Sequence, residues 1–205
     1  MWSGPRNIST ALLRSFSNRD DTIVYDEPFY SYYLKETGLN HPMRNKIIEH
    51  YPTKENEVIE TILRDKKGIY YQKHMTHHIL DKTNIEWLEK GTNCFLIRHP
   101  SKVINSYIKK NKLNSITDIG FDQMFRLFNY VKKNISKNII IVNADTLLEN
   151  PETYIKKLYI KLNIDFSKKM LKWSKGTTKD FGIWHSHWYN DIINSTEFSQ
   201  TKNII

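Results

Sequence analysis

The sequence predicts a three-layer α/β fold, a mostly parallel sheet with helices on both faces. Two observations carry this reading. Short β-branched apolar runs recur along the chain, and segments of helical periodicity separate them. The strand candidates are 22–25 (TIVY), 69–73 (IYYQK), 93–97 (NCFLI) and 139–142 (IIIV), each brief and bounded by polar or turn residues. Residues 9–17 place Leu12, Leu13 and Phe16 on one helical face, and 29–37 follows as a short helix. The same periodicity marks 55–65 (Val58, Ile59, Ile62, Leu63) and 101–110 (Val103, Ile104, Tyr107, Ile108). It returns in 121–135 (Phe121, Met124, Phe125, Phe128, Val131) and 152–162 (Ile155, Leu158, Tyr159, Leu162). Only Met1, Trp2 and Ser3 precede a loop that a buried strand normally feeds, so the first strand reads as truncated. An internal start, with a short apolar strand upstream, is the expectation.

No Gly/Ser linker, repeat or low-complexity block divides the 205 residues, which predicts a single domain over 1–205. An apolar content of 39% with 13% aromatics is enough for a buried core and argues against disorder. No apolar stretch approaches the ~18 residues of a membrane helix, and the first ten residues lack the layout of a signal peptide. Cys94 is the sole cysteine, which excludes an intrachain disulfide and points to a reducing, cytoplasmic setting. The formal charge of +9 suggests an anionic partner. With 24 Lys against 7 Arg, 26 Ile, 19 Asn and 2 Ala, codon usage alone accounts for much of that lysine, so position has to decide.

Three positions stand out. Gly4-Pro5-Arg6-Asn7-Ile8-Ser9-Thr10 opens a helix, whose N-terminal amides and partial positive charge suit an anion. Arg6 adds fixed charge, and Ser9 and Thr10 add hydroxyls; a plain helix cap is the competing reading. Arg98 ends a strand and Ser106 lies two helical turns beyond, where open α/β sheets bind ligands. Trp173-Ser174-Lys175-Gly176 precedes an aromatic stretch, 180–189, with no clean period, which reads as a loop packed over something.

In this order the three elements resemble the sulfotransferase family, P-loop-like enzymes that use 3′-phosphoadenosine 5′-phosphosulfate (PAPS). Pro5-Arg6-Asn7-Ile8-Ser9-Thr10 resembles that family's P-[KR]-[ST]-G-[ST]-T loop, which holds the 5′-phosphosulfate. Arg98 and Ser106, eight residues apart with Pro100 between, resemble its 3′-phosphate motif. Lys175-Gly176 and Asp180…Trp184 are similar to its late closing element, and Asp145, Leu148 and Asn150-Pro151 to an intervening segment. The resemblance covers about residues 2–190. It implies that Arg6, Asn7, Ser9, Thr10, Arg98, Ser106, Lys175 and Gly176 bind PAPS or its product 3′,5′-ADP. Ile8 stands where the family has Gly, Ala11 where many members stack adenine on Trp, Asn143 where they have Tyr, and Ser174 where they have a basic residue.

Two residues compete for the role of base. Glu27 follows the second strand, 21 residues after Arg6, comparable to a Glu in tyrosylprotein and some bacterial members; a turn or cap acid is its bland reading. His74 is the rival, because cytosolic members carry K-[ST]-H at a strand end, whereas here Lys73 and His74 are adjacent. The expectation is Glu27 as base, with Arg6 stabilising charge and His74 and Lys73 lining the site. His74, His77 and His78 have the i, i+3, i+4 spacing of helical metal ligands, but no acid or Cys at ligand spacing completes a set, so no metal is expected. The reading is a PAPS-dependent sulfotransferase acting on an unidentified hydroxyl or amine of a small molecule or glycan. The alternative is a non-catalytic P-loop-like scaffold that binds nucleotides or proteins. Non-specific nucleic-acid binding through Lys102, Lys109, Lys110 and Lys112 is disfavoured, because no exposed aromatics interleave them, and no specific nucleic-acid partner is expected.

Overall fold

The computed structural model describes residues 1–199 of the chain. Its centre is a five-stranded parallel sheet of β1 (Trp2–Ser3), β2 (Thr22–Asp26), β3 (Ile69–Met75), β4 (Cys94–Ile97) and β5 (Ile140–Asn143), in the order β2-β3-β1-β4-β5. All four strand candidates therefore form strands. The first strand is two residues long yet central, with Trp2 opposite His74 on one side and Phe95 on the other. The Met1 carbonyl accepts from the His74 amide at 2.9 Å, and the Met1 ammonium donates to the Gln72 carbonyl at 2.8 Å, so pairing with β3 begins at the first residue.

The helices are α1 (Ser9–Ser17), α2 (Tyr30–Thr37), α3 (Arg44–His50), α4 (Glu55–Leu63), α5 (Pro100–Tyr107), α6 (Phe121–Asn134), α7 (Ala144–Glu149), α8 (Pro151–Leu162), α9 (His185–Trp188) and α10 (Asn190–Ile193). Strand alternation sends side chains into two cores. Leu96, Val142 and Tyr71 meet α1 and α8 through Leu12, Leu13, Phe16, Ile155 and Leu158. Trp2 and Phe95 face the other way, onto Val58 and Ile62 of α4 and Met124, Leu127 and Val131 of α6. The consecutive helices α7 and α8 start on side-chain caps: Asn143 accepts from the amides of Asp145 and Thr146, and Asn150 from that of Thr153.

The order of the sheet reverses beside β1, so the loops after β1 and β4 diverge over a crevice at the strands' carboxyl ends. Gly4 makes that approach feasible: a Cβ there would lie 2.5 Å from the Ile119 carbonyl oxygen. A larger cavity, of about 680 Å³, lies at the opposite end, among the amino ends of β3 and β4. Arg64, Lys66 and Lys90 line that cavity, but none of the loops that follow the strands reaches it.

Candidate functional site

The loop between β1 and α1 is bent by backbone conformations that favour glycine. Arg6 has φ 63° and Ile8 φ 59°. Ile8 is the N-cap residue of α1 and caps nothing with its side chain; its carbonyl accepts from the Ala11 and Leu12 amides, which leaves those of Ser9 and Thr10 to whatever lies beyond the helix end. Arg6, Ser9, Thr10, Arg98 and Ser106 surround one cavity of about 210 Å³. The two basic elements touch directly: Arg6 Nε donates to Ser106 Oγ at 2.8 Å, and Arg98 Nη1 donates to the Arg6 carbonyl at 3.1 Å. Arg98 is braced from behind by Asp145, whose Oδ1 lies 3.5 Å from its Nε and accepts from Lys102 at 2.9 Å. Burial works against the charge of Asp145, but Lys102, the His99 amide and Arg98 together hold its carboxyl below the usual range.

The second half of the site is an ionic cluster at the ends of β2 and β3. Lys73, only 1% exposed, donates to Asp26 Oδ1 at 3.0 Å, to Glu27 Oε1, and to the Tyr189 hydroxyl at 2.7 Å. Its three protons are thereby used. The Tyr189 hydroxyl also accepts from Trp184 Nε1 at 3.1 Å and donates toward Asp26 Oδ2 at 2.8 Å, with Glu27 Oε1 at 3.0 Å. The Gly182 amide donates to Asp26 Oδ2 at 3.0 Å. Among the described residues, Glu27 Oε2 is left with only a 4.0 Å approach to His78 Nδ1, a buried nitrogen without a hydrogen-bond partner there. Glu27 itself sits at φ 44°, so the carboxylate is held by a strained backbone.

Electrostatics distinguish the members. Burial pushes the Glu27 carboxyl above its ordinary value, with Lys73 working against it and Asp26 adding to it. Burial alone would lower Lys73, but the two carboxylates outweigh it and hold the ammonium protonated. His78 is kept neutral by burial, and His77 is pushed down to about 3 for the same reason.

The sequence-predicted residues separate as follows. Arg6, Ser9, Thr10, Arg98 and Ser106 come together; Glu27 and Lys73 come together; and Tyr189, which lines the cavity and bonds the acids, joins the groups. Asn7 does not line the cavity: its amide turns inward to the Gly4 carbonyl at 3.3 Å. Lys175 is exposed and away from the cavity, while Gly176 ties its loop to α10 by donating its backbone N–H to the Ile193 carbonyl at 2.8 Å. His74 as a site residue needs correction. Neighbouring residues of a strand face opposite ways, so His74 points away from Lys73 and stacks on Trp2 at 4.5 Å, beside Trp87 and Phe29. The helical spacing of the three histidines also dissolves, because His74 lies on β3 and His77 and His78 in a one-turn 3₁₀ helix. Among the described residues no three His, Cys, Asp or Glu side chains gather as metal ligands.

Sequence reasoning missed Asp26 and Tyr189. Asp26 had a signal, since it adjoins Glu27 at a strand end; Tyr189 had none, because its contacts span more than 110 residues of chain.

Comparison with known proteins follows the same lines. The family described as "Sulfotransferase domain" matches residues 1–204. Branched-chain-amino-acid aminotransferase-like proteins 1 and 2 of Arabidopsis thaliana are each 31% identical over 203 residues, covering 98% of this chain and 36% of theirs. The chain thus spans about a third of the length of these curated relatives. Among solved structures, the "Sulfotransferase Domain from the Curacin Biosynthetic Pathway" superposes with a TM-score of 0.57 at 14% identity, over 89% of this chain and 79% of that one, a likeness of fold. No helix among the described residues is long and apolar enough to cross a membrane.

Proposed function

The chain belongs to the sulfotransferase domain family, and from that premise we propose that it transfers a sulfuryl group from PAPS to an acceptor hydroxyl or amine. The observation that carries this is the single cavity shared by Arg6, Ser9, Thr10, Arg98 and Ser106, with an ionic cluster at its edge that leaves one carboxylate oxygen of Glu27 free of hydrogen bonds. When bound, PAPS supplies an activated sulfuryl group, whose bond to the 5′-phosphate breaks as the acceptor atom bonds sulfur, leaving 3′,5′-ADP.

Arg6 and the first-turn amides of α1 stabilise negative charge at the 5′ end. Arg98, fixed by Asp145, and Ser106 hold the 3′-phosphate, and binding energy from that remote end orients the reacting one. Lys175, exposed and away from the cavity, reaches the nucleotide only if its loop moves toward it. Lys73 and Tyr189 occupy Glu27 Oε1, which turns Oε2 toward the acceptor to take its proton. Burial raises the Glu27 pKa and so makes it a stronger base than a surface carboxylate. The donor chemistry asks for no metal ligands.

Release of 3′,5′-ADP from PAPS, followed with a panel of hydroxyl and amine acceptors, tests the assignment. Glu27→Gln is expected to lose roughly 100- to 10,000-fold in turnover while keeping its affinity for 3′,5′-ADP. Equal rates for the variant and the wild type would remove Glu27 as the base.

A further inference from the structure

The residue that faces the anion-binding arginine is itself an acid. Asp191, on α10, places Oδ2 3.5 Å from Arg6 Nη2 and 3.3 Å from Lys110 Nζ, although its side chain is 72% exposed. Burial does not dictate this position, since the neighbouring Ile192 and Ile193 carry the helix's apolar contacts. Asp191 also lines the cavity shared by Arg6, Arg98 and Ser106. That cavity, about 210 Å³, is smaller than the roughly 300–1,000 Å³ of sites that enclose whole ligands. The segment that carries α10 is held at three other points: Tyr189 before it on the acid cluster, Ile193 O on the Gly176 amide, and Thr196 O beyond it on the Trp173 amide.

We propose that Asp191 is an internal competitor for Arg6: its carboxylate holds the place of the donor's anionic group, and donor binding requires the Asp191–Arg6 contact to break and α10 to lift from the cavity. The identity of that donor rests on the PAPS reading; the competition itself requires only an anion. An exposed ion pair contributes little on its own. Asp191 is therefore a latch that a multiply charged ligand displaces, and it would also speed product release by returning to Arg6. Lys110, in the turn after α5, shares the carboxylate, so lifting α10 breaks that contact as well.

Calorimetric titration of Asp191→Asn with 3′,5′-ADP and with inorganic pyrophosphate tests this. The substitution keeps shape and removes charge. Binding of both ligands is expected to tighten by about three- to tenfold relative to wild type. Asp20→Asn, which removes an equal charge from an exposed pair with Lys169, should change neither. Hydrogen exchange at the Ile193 and Ser195 amides should quicken in ligand-free Asp191→Asn, because the helix loses its tie. Tightening for pyrophosphate alone, with no 3′,5′-ADP bound by either protein, would retain the latch and discard the PAPS reading. Unchanged or weaker binding in Asp191→Asn, an equal gain in Asp20→Asn, or unaltered exchange would overturn the latch. Failure of wild type and variant to bind either ligand would overturn both.

Discussion

Lys73 is buried with two carboxylates and one phenol, and each of its protons has an acceptor. Removing such a charge leaves the others uncompensated. Lys73→Met is expected to destabilise the fold by about 3–5 kcal/mol, read from urea unfolding. Glu27 behaves differently, because its carboxyl is raised by burial. A folded pKa above the unfolded one means the group's stabilising contribution is complete below the ordinary carboxylate range. That contribution is lost as pH rises through the raised value. The melting temperature of Glu27→Gln relative to wild type should therefore improve steadily from pH 4 toward neutrality; a relative melting temperature that falls or does not change over that range would contradict the raised pKa. At this scale the sequence disclosed Arg6, Glu27, Arg98 and Ser106, because short motifs sit next to predictable strand ends. The choice between Lys73 and His74 was also within reach. Had the strand been drawn to Met75, its period of two would have grouped Tyr71, Lys73 and Met75 against Gln72 and His74. Tyr189 was beyond reach, since no local pattern pairs it with residues 26, 27 and 73.

Among the elements, β1 does the most with the fewest residues. Trp2 is 2% exposed, stacks on His74, and donates from Nε1 to Asn93 Oδ1 at 2.8 Å, so one side chain fastens β1 to both neighbours. Trp2→Ala is expected to cost about 3–5 kcal/mol, as for other buried tryptophans, and to loosen the loop that follows, residues 4–8. Gly4→Ala tests that loop separately: the added Cβ meets the Ile119 carbonyl, so 3′,5′-ADP affinity should fall more than thermal stability does. The long elements were legible, with α1, α4, α5, α6 and α8 each within a few residues of the apolar periodicity that predicted them. The helices α3, α7, α9 and α10 were not. They run only four to seven residues, too short for a 3.6-residue period to declare itself, and tertiary contacts with α2, α8 and the acid cluster hold them in place.

For the molecule as a whole, alternation of strands and helices was enough to give the class of fold, but not the order β2-β3-β1-β4-β5. Strand order depends on which distant edges meet, and that information lies in no single segment. It is this order that brings the loop after β1 to the end of β4, and so Arg6 to Ser106 across 100 residues. Part of the formal charge of +9 gathers there, with Arg6 and Arg98 lining the crevice and Lys102 and Lys110 paired to the acids beside it, Asp145 and Asp191. The measurement that bears most directly on the proposed function is the affinity of the wild type for 3′,5′-ADP against 5′-AMP, repeated with Arg98→Ala. A dedicated 3′-phosphate subsite gives the wild type a clear preference for 3′,5′-ADP, and Arg98→Ala loses ~2–3 kcal/mol of it, the scale of a charge-assisted hydrogen bond. Equal affinity of the wild type for the two nucleotides would contradict it.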